Sequence, residues 1–277
     1  MIDDFIKQTV SFLERTDTRI HAPEIRTVRY EENTTSLLMS DSEVVYLNRA
    51  NISDNVLLGI MFFFSIIDAK VDLLHPELDG ESFRQRYKRM TKKSDDEIIL
   101  SQLFRILKLL RNASVHSKNS IVIKNNEITC SYSNMKTNFQ LIITKLGLEL
   151  IYSLILELVK TTMSTSLYYS SIRRTYYDDI KANIKVFADD LGDSSLLELS
   201  NGIRLKRGVR YKITNSIFKI EKDYLIIEKP YDLPEDEKLY RSCDYEVNYN
   251  GKNYLIPSEA LDSNNKMDIS HLCLWEL

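Results

Sequence analysis

The chain has 277 residues, of which 43% are hydrophobic and 28% are charged, and its net charge is −3. This length allows one large domain or two smaller ones, and the composition is typical of a soluble globular protein rather than a disordered one. The slightly acidic balance excludes strong non-specific affinity for nucleic acid but leaves room for a local basic site.

The first predicted elements are helices, as expected for a chain with only 7 glycines and 5 prolines. Apolar periodicity predicts an amphipathic helix over 2–15, and the segment EVVYL at 43–47 is a candidate strand. A second helix is predicted over about 54–74, with Ser53 or Asp54 as its N-cap. We expect this helix to end at His75-Pro76, because the residue before a proline avoids the helical conformation.

A third long helix is predicted over about 95–116. Ser94 and Glu97 form a capping box at its start. Its apolar face repeats at helical spacing and carries Ile99, Leu103, Ile106, Leu107 and Leu110. A β-hairpin then turns at Asn125-Asn126, since asparagine tolerates positive φ.

The rest of the chain divides into a helical part and a β-type part. Apolar periodicity predicts one helix from Asn138 to about Met163 and another over 172–191. From Gly202 onward the chain shows short β-type runs, and Asn250-Gly251 between alternating apolar residues predicts a hairpin turn. We therefore expect a helical domain over 1–192, with an inserted hairpin near 121–133, and a small β domain over 202–277.

The cysteines and apolar segments predict a cytoplasmic protein. Cys130, Cys243 and Cys273 are far apart and odd in number, which suits reduced thiols and indicates neither a zinc site nor a disulfide framework. The segment MIDDFIKQ lacks a basic region followed by an apolar run, so it predicts no signal peptide. The longest apolar run, Val56 to Ile67, falls short of the roughly 20 residues that a bilayer span needs, so we expect no contact with a membrane.

The segment RNASVH at 111–116 is the strongest candidate for chemistry. Basic residues are common in the last turn of a helix because they complement its negative end, which offers a purely structural explanation. However, Arg111 borders the apolar face, and Asn112 and His116 are four residues apart on one face. Arginine can bind phosphate oxygens with two hydrogen bonds, and histidine can transfer protons near neutral pH. These groups suit cleavage of RNA without a metal or other cofactor, if a two-fold dimer supplies two histidines.

RNASVH resembles the R-x4-H motif of the HEPN superfamily, on which Arg111, Asn112 and His116 fall one by one. The resemblance covers roughly residues 50–165. It implies a helical-bundle domain that dimerises and forms a composite, metal-independent ribonuclease site across the homodimer. With the β-type runs after Gly202, the expected fold class is α+β, an N-terminal α-helical HEPN-like bundle followed by a small β-rich domain. Related proteins serve as toxins or antiviral effectors. One subgroup, paired with nucleotidyltransferase antitoxins, has tyrosine where this chain has Lys118, which disfavours that pairing.

Two basic segments are candidates for binding RNA. The first contains Arg84, Arg86, Lys88 and Arg89, and Lys118 follows the motif; we expect these residues to hold the RNA backbone, although a solvated helix face would have the same composition. The second, RLKRGVRYK at 204–212, could bind single-stranded nucleic acid or could simply be a soluble strand. His21, His75 and His271 are predicted to be structural.

The sequence therefore predicts a metal-independent endoribonuclease. His116 is assigned acid and base catalysis, Arg111 stabilises the phosphate, and Asn112 orients the phosphate or the histidine. The expected partners are RNA, a second copy of the chain and an antitoxin or regulatory protein. The alternative is a HEPN-like module that binds RNA or protein without cleaving.

Overall fold

The computed structural model describes residues 1–30, 35–38, 52, 55–116, 120–134, 137–160, 166–191, 195–233 and 241–277, with the side chains of 35–38 and 116 left out of the description. Its helices are α1 (Ile2–Leu13), α2 (Val56–Leu74), α3 (Phe83–Arg89), α4 (Asp95–His116), α5 (Lys145–Lys160) and α6 (Leu167–Ala182). Its strands are β1 (Glu24–Tyr30), β2 (Thr35–Leu38), β3 (Ile121–Lys124), β4 (Glu127–Asn134), β5 (Thr137–Thr144), β6 (Ile184–Ala188), β7 (Val209–Thr214), β8 (Phe218–Glu221), β9 (Tyr224–Ile227), β10 (Arg241–Tyr249), β11 (Lys252–Pro257) and β12 (Lys266–Asp268).

The chain forms two compact units, each assembled from several stretches. Unit 1 comprises Met1–His21, Tyr46–Thr162 and Tyr176–Ser200, and unit 2 comprises Ala22–Val45, Met163–Thr175 and Asn201–Leu277. The predicted fold class, an N-terminal helical bundle followed by a small β domain, is wrong because helices and sheets are interspersed along the chain. The division expected at 192–202 lies near Ser200, but unit 2 also contains two earlier stretches.

The helices of unit 1 enclose an apolar core. The α2 side chains Phe63 and Ile67 are fully buried, as are Leu103 and Leu107 of α4. The predicted apolar face of α4 is confirmed, since all five of its predicted members are inaccessible to solvent. At the start of α2 the side chain of Asn55 accepts a hydrogen bond from the backbone N–H of Leu58 (3.1 Å). Asn55 is thus the N-cap, while Ser53, Asp54 and the EVVYL segment lie outside the described residues.

Unit 1 also contains an antiparallel sheet of order β3-β4-β5-β6. The predicted hairpin turn is confirmed, with Asn125 and Asn126 at φ of 50° and 64°. The helix predicted from Asn138 is wrong over its first part. Residues 137–144 form β5, in which alternate side chains face the core, and α5 begins only at Lys145. Similarly, the helix predicted over 172–191 ends at Ala182 and is followed by β6.

Unit 2 contains a five-stranded mixed sheet of order β11-β10-β7-β1-β2 and a three-stranded sheet of order β12-β9-β8. Strand β7 pairs in parallel with both β1 and β10, so β1 from early in the chain completes a sheet made mainly of late strands. The predicted turn at Asn250-Gly251 is confirmed. Arg210 of β7 is fully buried, and its guanidinium forms ion pairs with Asp244 of β10 (2.5 Å) and with Glu259 (2.9 Å).

Candidate functional site

Helix α4 presents two of the three predicted catalytic residues at its C-terminal end. The helix starts at the predicted capping box, in which the Ser94 hydroxyl accepts from the Glu97 N–H (3.3 Å) and the Glu97 carboxylate accepts from the Ser94 N–H (3.1 Å). Arg111 and Asn112 are half-buried near its other end. His116 is its last residue, and its side chain lies outside the described part of the structure.

The guanidinium of Arg111 lies between two aromatic rings. Its central carbon is 5.9 Å from the ring centre of Phe64 on α2 and 5.9 Å from that of Phe83 on α3. The same guanidinium donates a hydrogen bond to the side-chain oxygen of Asn112 (3.2 Å). Contacts of this kind hold a cation in place on the rim of an apolar core. The arrangement explains why arginine borders the apolar face of α4.

A buried network of acidic and basic groups adjoins Arg111. Burial raises the pKa of Asp68 on α2, while the positive charges of Arg86 and Arg111 act to lower it. The side chain of Arg86 is buried and forms ion pairs with Asp68 (2.6 Å) and Asp72 (2.5 Å). Its predicted role as a surface contact for RNA does not fit, because both ends of its guanidinium are bound to carboxylates inside unit 1.

The other predicted RNA-binding residues of α3 remain at the surface. Lys88 is exposed, Arg89 pairs with Glu81 (2.9 Å), and Arg84 lies 4.0 Å from Asp190. Helix α3 begins at Phe83, which contacts Arg111, so the structure brings this basic helix next to the motif. Lys118 lies outside the described residues.

A second charged group lies one turn before the motif and was missed in the sequence. Lys108 of α4 is three residues before Arg111 and four before Asn112, which places the three on adjacent positions of the helix surface. Its ammonium pairs with Asp190 (2.7 Å), the same carboxylate that Arg84 approaches. Helical spacing alone could have indicated Lys108, whereas Asp190 is brought there by the fold.

Asn112 also faces the sheet of unit 1. Burial raises the pKa of the Tyr132 hydroxyl on β4, and the neighbouring side chain of Asn112 acts in the opposite direction. The ring of Tyr132 stacks on Phe139 of β5 at 4.7 Å between ring centres. Asn112 is thus placed between Arg111 and a packed aromatic pair.

Positions 111 and 116 lie on different faces of one helix. Five residues correspond to about 140° of rotation and about 7.5 Å of rise, whereas Asn112 and His116 are only about 40° apart. Arg111 and His116 of one chain are therefore not adjacent positions on α4.

The remaining candidates are less suited to binding RNA. In the basic segment of unit 2, Arg210 is fully buried in its ion pairs, and Lys212 pairs with Glu246 (3.5 Å).

Among the described residues, no group of three or more histidine, cysteine or acidic side chains is placed so that it could hold a metal ion. Within the same residues, no helix is both long and apolar enough to cross a bilayer.

Comparisons of the chain with protein-family models, with curated proteins and with solved structures each found no match.

Proposed function

We propose that this protein is a metal-independent endoribonuclease of the HEPN type, with its site formed by Arg111, Asn112 and His116. The observation that carries the proposal is the position of Arg111. Its guanidinium is fixed by two aromatic rings and by Asn112 on the helix that ends at His116. A cation fixed in this way can bind a phosphate without first having to be ordered.

The proposed reaction is an attack of the RNA 2′-hydroxyl on the adjacent phosphorus. One histidine removes the proton from this hydroxyl as its oxygen bonds to phosphorus, which gives a 2′,3′-cyclic phosphate. The bond to the 5′-oxygen breaks, and a second histidine donates a proton to that leaving oxygen. Arg111 stabilises the negative charge that collects on the non-bridging oxygens, and Asn112 orients the phosphate or the imidazole.

A homodimer supplies the second histidine in this proposal. Val115, beside His116, is an exposed apolar residue (47% accessible), as are Val122 and Ile123 on the edge strand β3. Exposed apolar groups of this kind are suited to contact with a second copy. Arg84, Lys88, Arg89 and Lys118 are assigned to the RNA backbone, and Arg86 is not.

The biological role that we propose is that of a toxin or antiviral effector in the cytoplasm, controlled by an antitoxin or regulatory protein. The three cysteines are all free thiols, two of them buried, which is compatible with a reducing compartment. This role follows from the HEPN resemblance of RNASVH.

The direct test is cleavage of a mixed RNA pool in EDTA by the full-length protein and by His116→Ala, Arg111→Ala and His271→Ala. Loss of the proton-transfer group typically costs about 10²–10⁴-fold in rate, and loss of a charge-stabilising donor about 10²–10³-fold. His271 is exposed in unit 2, so its replacement is the matched control and leaves the rate unchanged. Products with 2′,3′-cyclic phosphate ends support the proposed chemistry.

Two outcomes would contradict this assignment. If His116→Ala cleaves as fast as the parent, the site lies elsewhere. If a folded dimer shifts the mobility of RNA without cutting it, the protein is the alternative, a binding module that uses the same basic surface.

A further inference from the structure

Unit 1 contains a cavity of about 150 Å³, separate from the Arg111 site, which the proposed ribonuclease reaction does not use. Its apolar wall is formed by Ile52, Val56 and Leu148. Its polar lining comes from Thr18, Arg19, Asn55, Lys145, Glu149 and Tyr152. A space of this size holds a few water molecules or one compact polar group, but it is too small for a drug-sized ligand.

The described residues that line the cavity carry more positive than negative charge. Arg19 and Lys145 both line it, and neither side chain has a carboxylate partner among the residues that the structure describes. Among the described lining residues the acidic group is Glu149, whose carboxylate is hydrogen-bonded to His21 (2.8 Å). The backbone N–H of His21 in turn donates to the hydroxyl of Ser153 (2.9 Å), which fixes the histidine. The described lining therefore carries two cations and one carboxylate, and the carboxylate is held by His21.

Two helix N-termini add to this positive charge. Asn55 and Val56 are the N-cap and first residue of α2, and Lys145 is the first residue of α5. All three line the cavity. Because a helix carries partial positive charge at its N-terminus, both helices favour an anion at this place.

The hydroxyl of Tyr152 is an independent sign of a ligand. This side chain is 93% buried and lines the cavity, its ring stacks on Phe63 at 4.0 Å, and its hydroxyl has no hydrogen-bond partner among the described residues. Buried hydroxyls are rarely left unpaired, because losing water without a replacement partner is costly. Burial raises the pKa of Tyr152, and the negative charge of Glu149 raises it further. The hydroxyl therefore stays protonated and can donate a hydrogen bond.

Gly59 preserves the space beside this hydroxyl. A Cβ at position 59 would lie 2.9 Å from the Tyr152 oxygen, closer than side chains pack. Gly59 also lines the cavity. The glycine therefore leaves the hydroxyl next to an open volume instead of covering it.

We propose that this cavity binds a small phosphate-type oxyanion, either inorganic phosphate or the phosphate group of a small phosphomonoester. Arg19 and Lys145 neutralise its charge, and the Tyr152 hydroxyl donates a hydrogen bond to one oxygen. An oxyanion fits better than a neutral ligand because two cations and two helix N-termini converge on a volume of single-group size. The site is distinct from the motif, since Gly59 precedes Phe64, which contacts Arg111, by about 7.5 Å along α2.

The test is titration of the full-length protein with inorganic phosphate and, separately, with glycerol 3-phosphate, by calorimetry in a non-phosphate buffer at constant ionic strength. We expect saturable binding that Lys145→Gln weakens at least tenfold. Lys160→Gln is the matched control, because Lys160 is at the other end of the same helix and pairs with Glu14 (2.5 Å) away from the cavity. Tighter binding of glycerol 3-phosphate than of phosphate identifies a phosphomonoester as the ligand, and equal binding identifies the free ion.

Tyr152→Phe should have opposite effects on two measured quantities, the stability of the phosphate-free protein and its affinity for phosphate. Removing an unpaired buried hydroxyl raises the unfolding temperature of the phosphate-free protein, and the same change weakens phosphate binding. The proposal is overturned if neither phosphate compound binds, or if Lys145→Gln and Lys160→Gln bind equally well. It is also overturned if Tyr152→Phe binds phosphate as tightly as the parent.

Discussion

Replacement of Arg210 by methionine should destabilise unit 2 strongly. Arg210 is fully buried, and its guanidinium forms two hydrogen bonds to Asp244 (2.5 and 2.9 Å) and two to Glu259 (2.9 and 3.1 Å). The Asp244 carboxylate also accepts from the Tyr168 hydroxyl (2.9 Å). Methionine fills much of the same volume, but it leaves two carboxylates buried without a counter-charge. Removing one member of a buried ion pair typically lowers the unfolding free energy by about 3 to 5 kcal/mol.

The unfolding free energy lost in Arg210→Met should depend on pH, and the direction of this dependence identifies buried charge as its cause. In the parent, burial raises the pKa of Glu259, but the hydrogen bonds and charge of Arg210, together with a backbone hydrogen bond from Lys206, outweigh burial and set the pKa below its ordinary value. Glu259 therefore stabilises the fold above its ordinary pKa, and this contribution is lost as the pH falls through the lowered value. Without Arg210 the backbone N–H of Lys206 still donates to Glu259, but the largest contributions that oppose burial are lost, so the pKa of Glu259 rises from its value in the parent. At a given pH the folded variant then binds more protons than the folded parent, so the stability deficit of the variant shrinks as the pH falls from 8 to 5.

The single tryptophan makes this measurement specific. Trp275 is buried in unit 2, so its fluorescence during urea denaturation reports on the unit that contains Arg210. Lys252→Met is the matched control, because Lys252 pairs with Glu276 (2.8 Å) at the exposed surface, and its loss should leave the midpoint unchanged. A loss below about 1 kcal/mol for Arg210→Met, or an equal loss at both pH values, would show that buried charge is not the cause.

Two further predictions concern unit 1. Ser94→Ala removes the hydroxyl that caps the Glu97 N–H and should lower the unfolding free energy by about 1 kcal/mol, measured by urea denaturation followed by circular dichroism. Ser94→Asp keeps an acceptor and should retain most of the stability. Equal losses for the two variants would refute a capping role. Gly147→Ala places a Cβ 2.7 Å from both the Asn183 Cβ and the Ile143 side chain, so overpacking should cost about 1 to 3 kcal/mol in the same assay. A neutral Gly147→Ala would mean that β5 and the turn after α6 shift without penalty.

Local signals in the sequence predict the helices of unit 1 well. The capping box and the apolar face of α4 depend on residues within one or two turns, so they are visible without the fold. Strand β5 was missed because its apolar residues lead directly into the apolar helix α5, and a continuous run hides the change of period at Thr144. Strand β1 was missed because its neighbour β7 is far away in the chain.

The candidate site shows the same limit. Arg111 and Asn112 could be predicted because the motif is contiguous. The groups that hold Arg111 could not, since Phe64 and Phe83 belong to other helices and only the tertiary packing brings them together. The lining of the cavity is still more dispersed, since its residues range from Thr18 to Tyr152 along the chain.

The position of β1 has a consequence for how this chain can be divided. Residues Glu24–Arg29 pair with Val209–Thr214, and β7 is in turn held by β10 at residues 241–245. A ribosome must therefore complete most of the chain before β1 joins β7, and until then the edge of β1 that does not face β2 exposes unpaired backbone that could associate with other molecules. For the same reason, a fragment cut at residue 200 would not be a clean N-terminal domain. It would carry the β1-β2 pair without the rest of its sheet, and adding residues 201–277 as a separate chain should restore the missing pairing with β7.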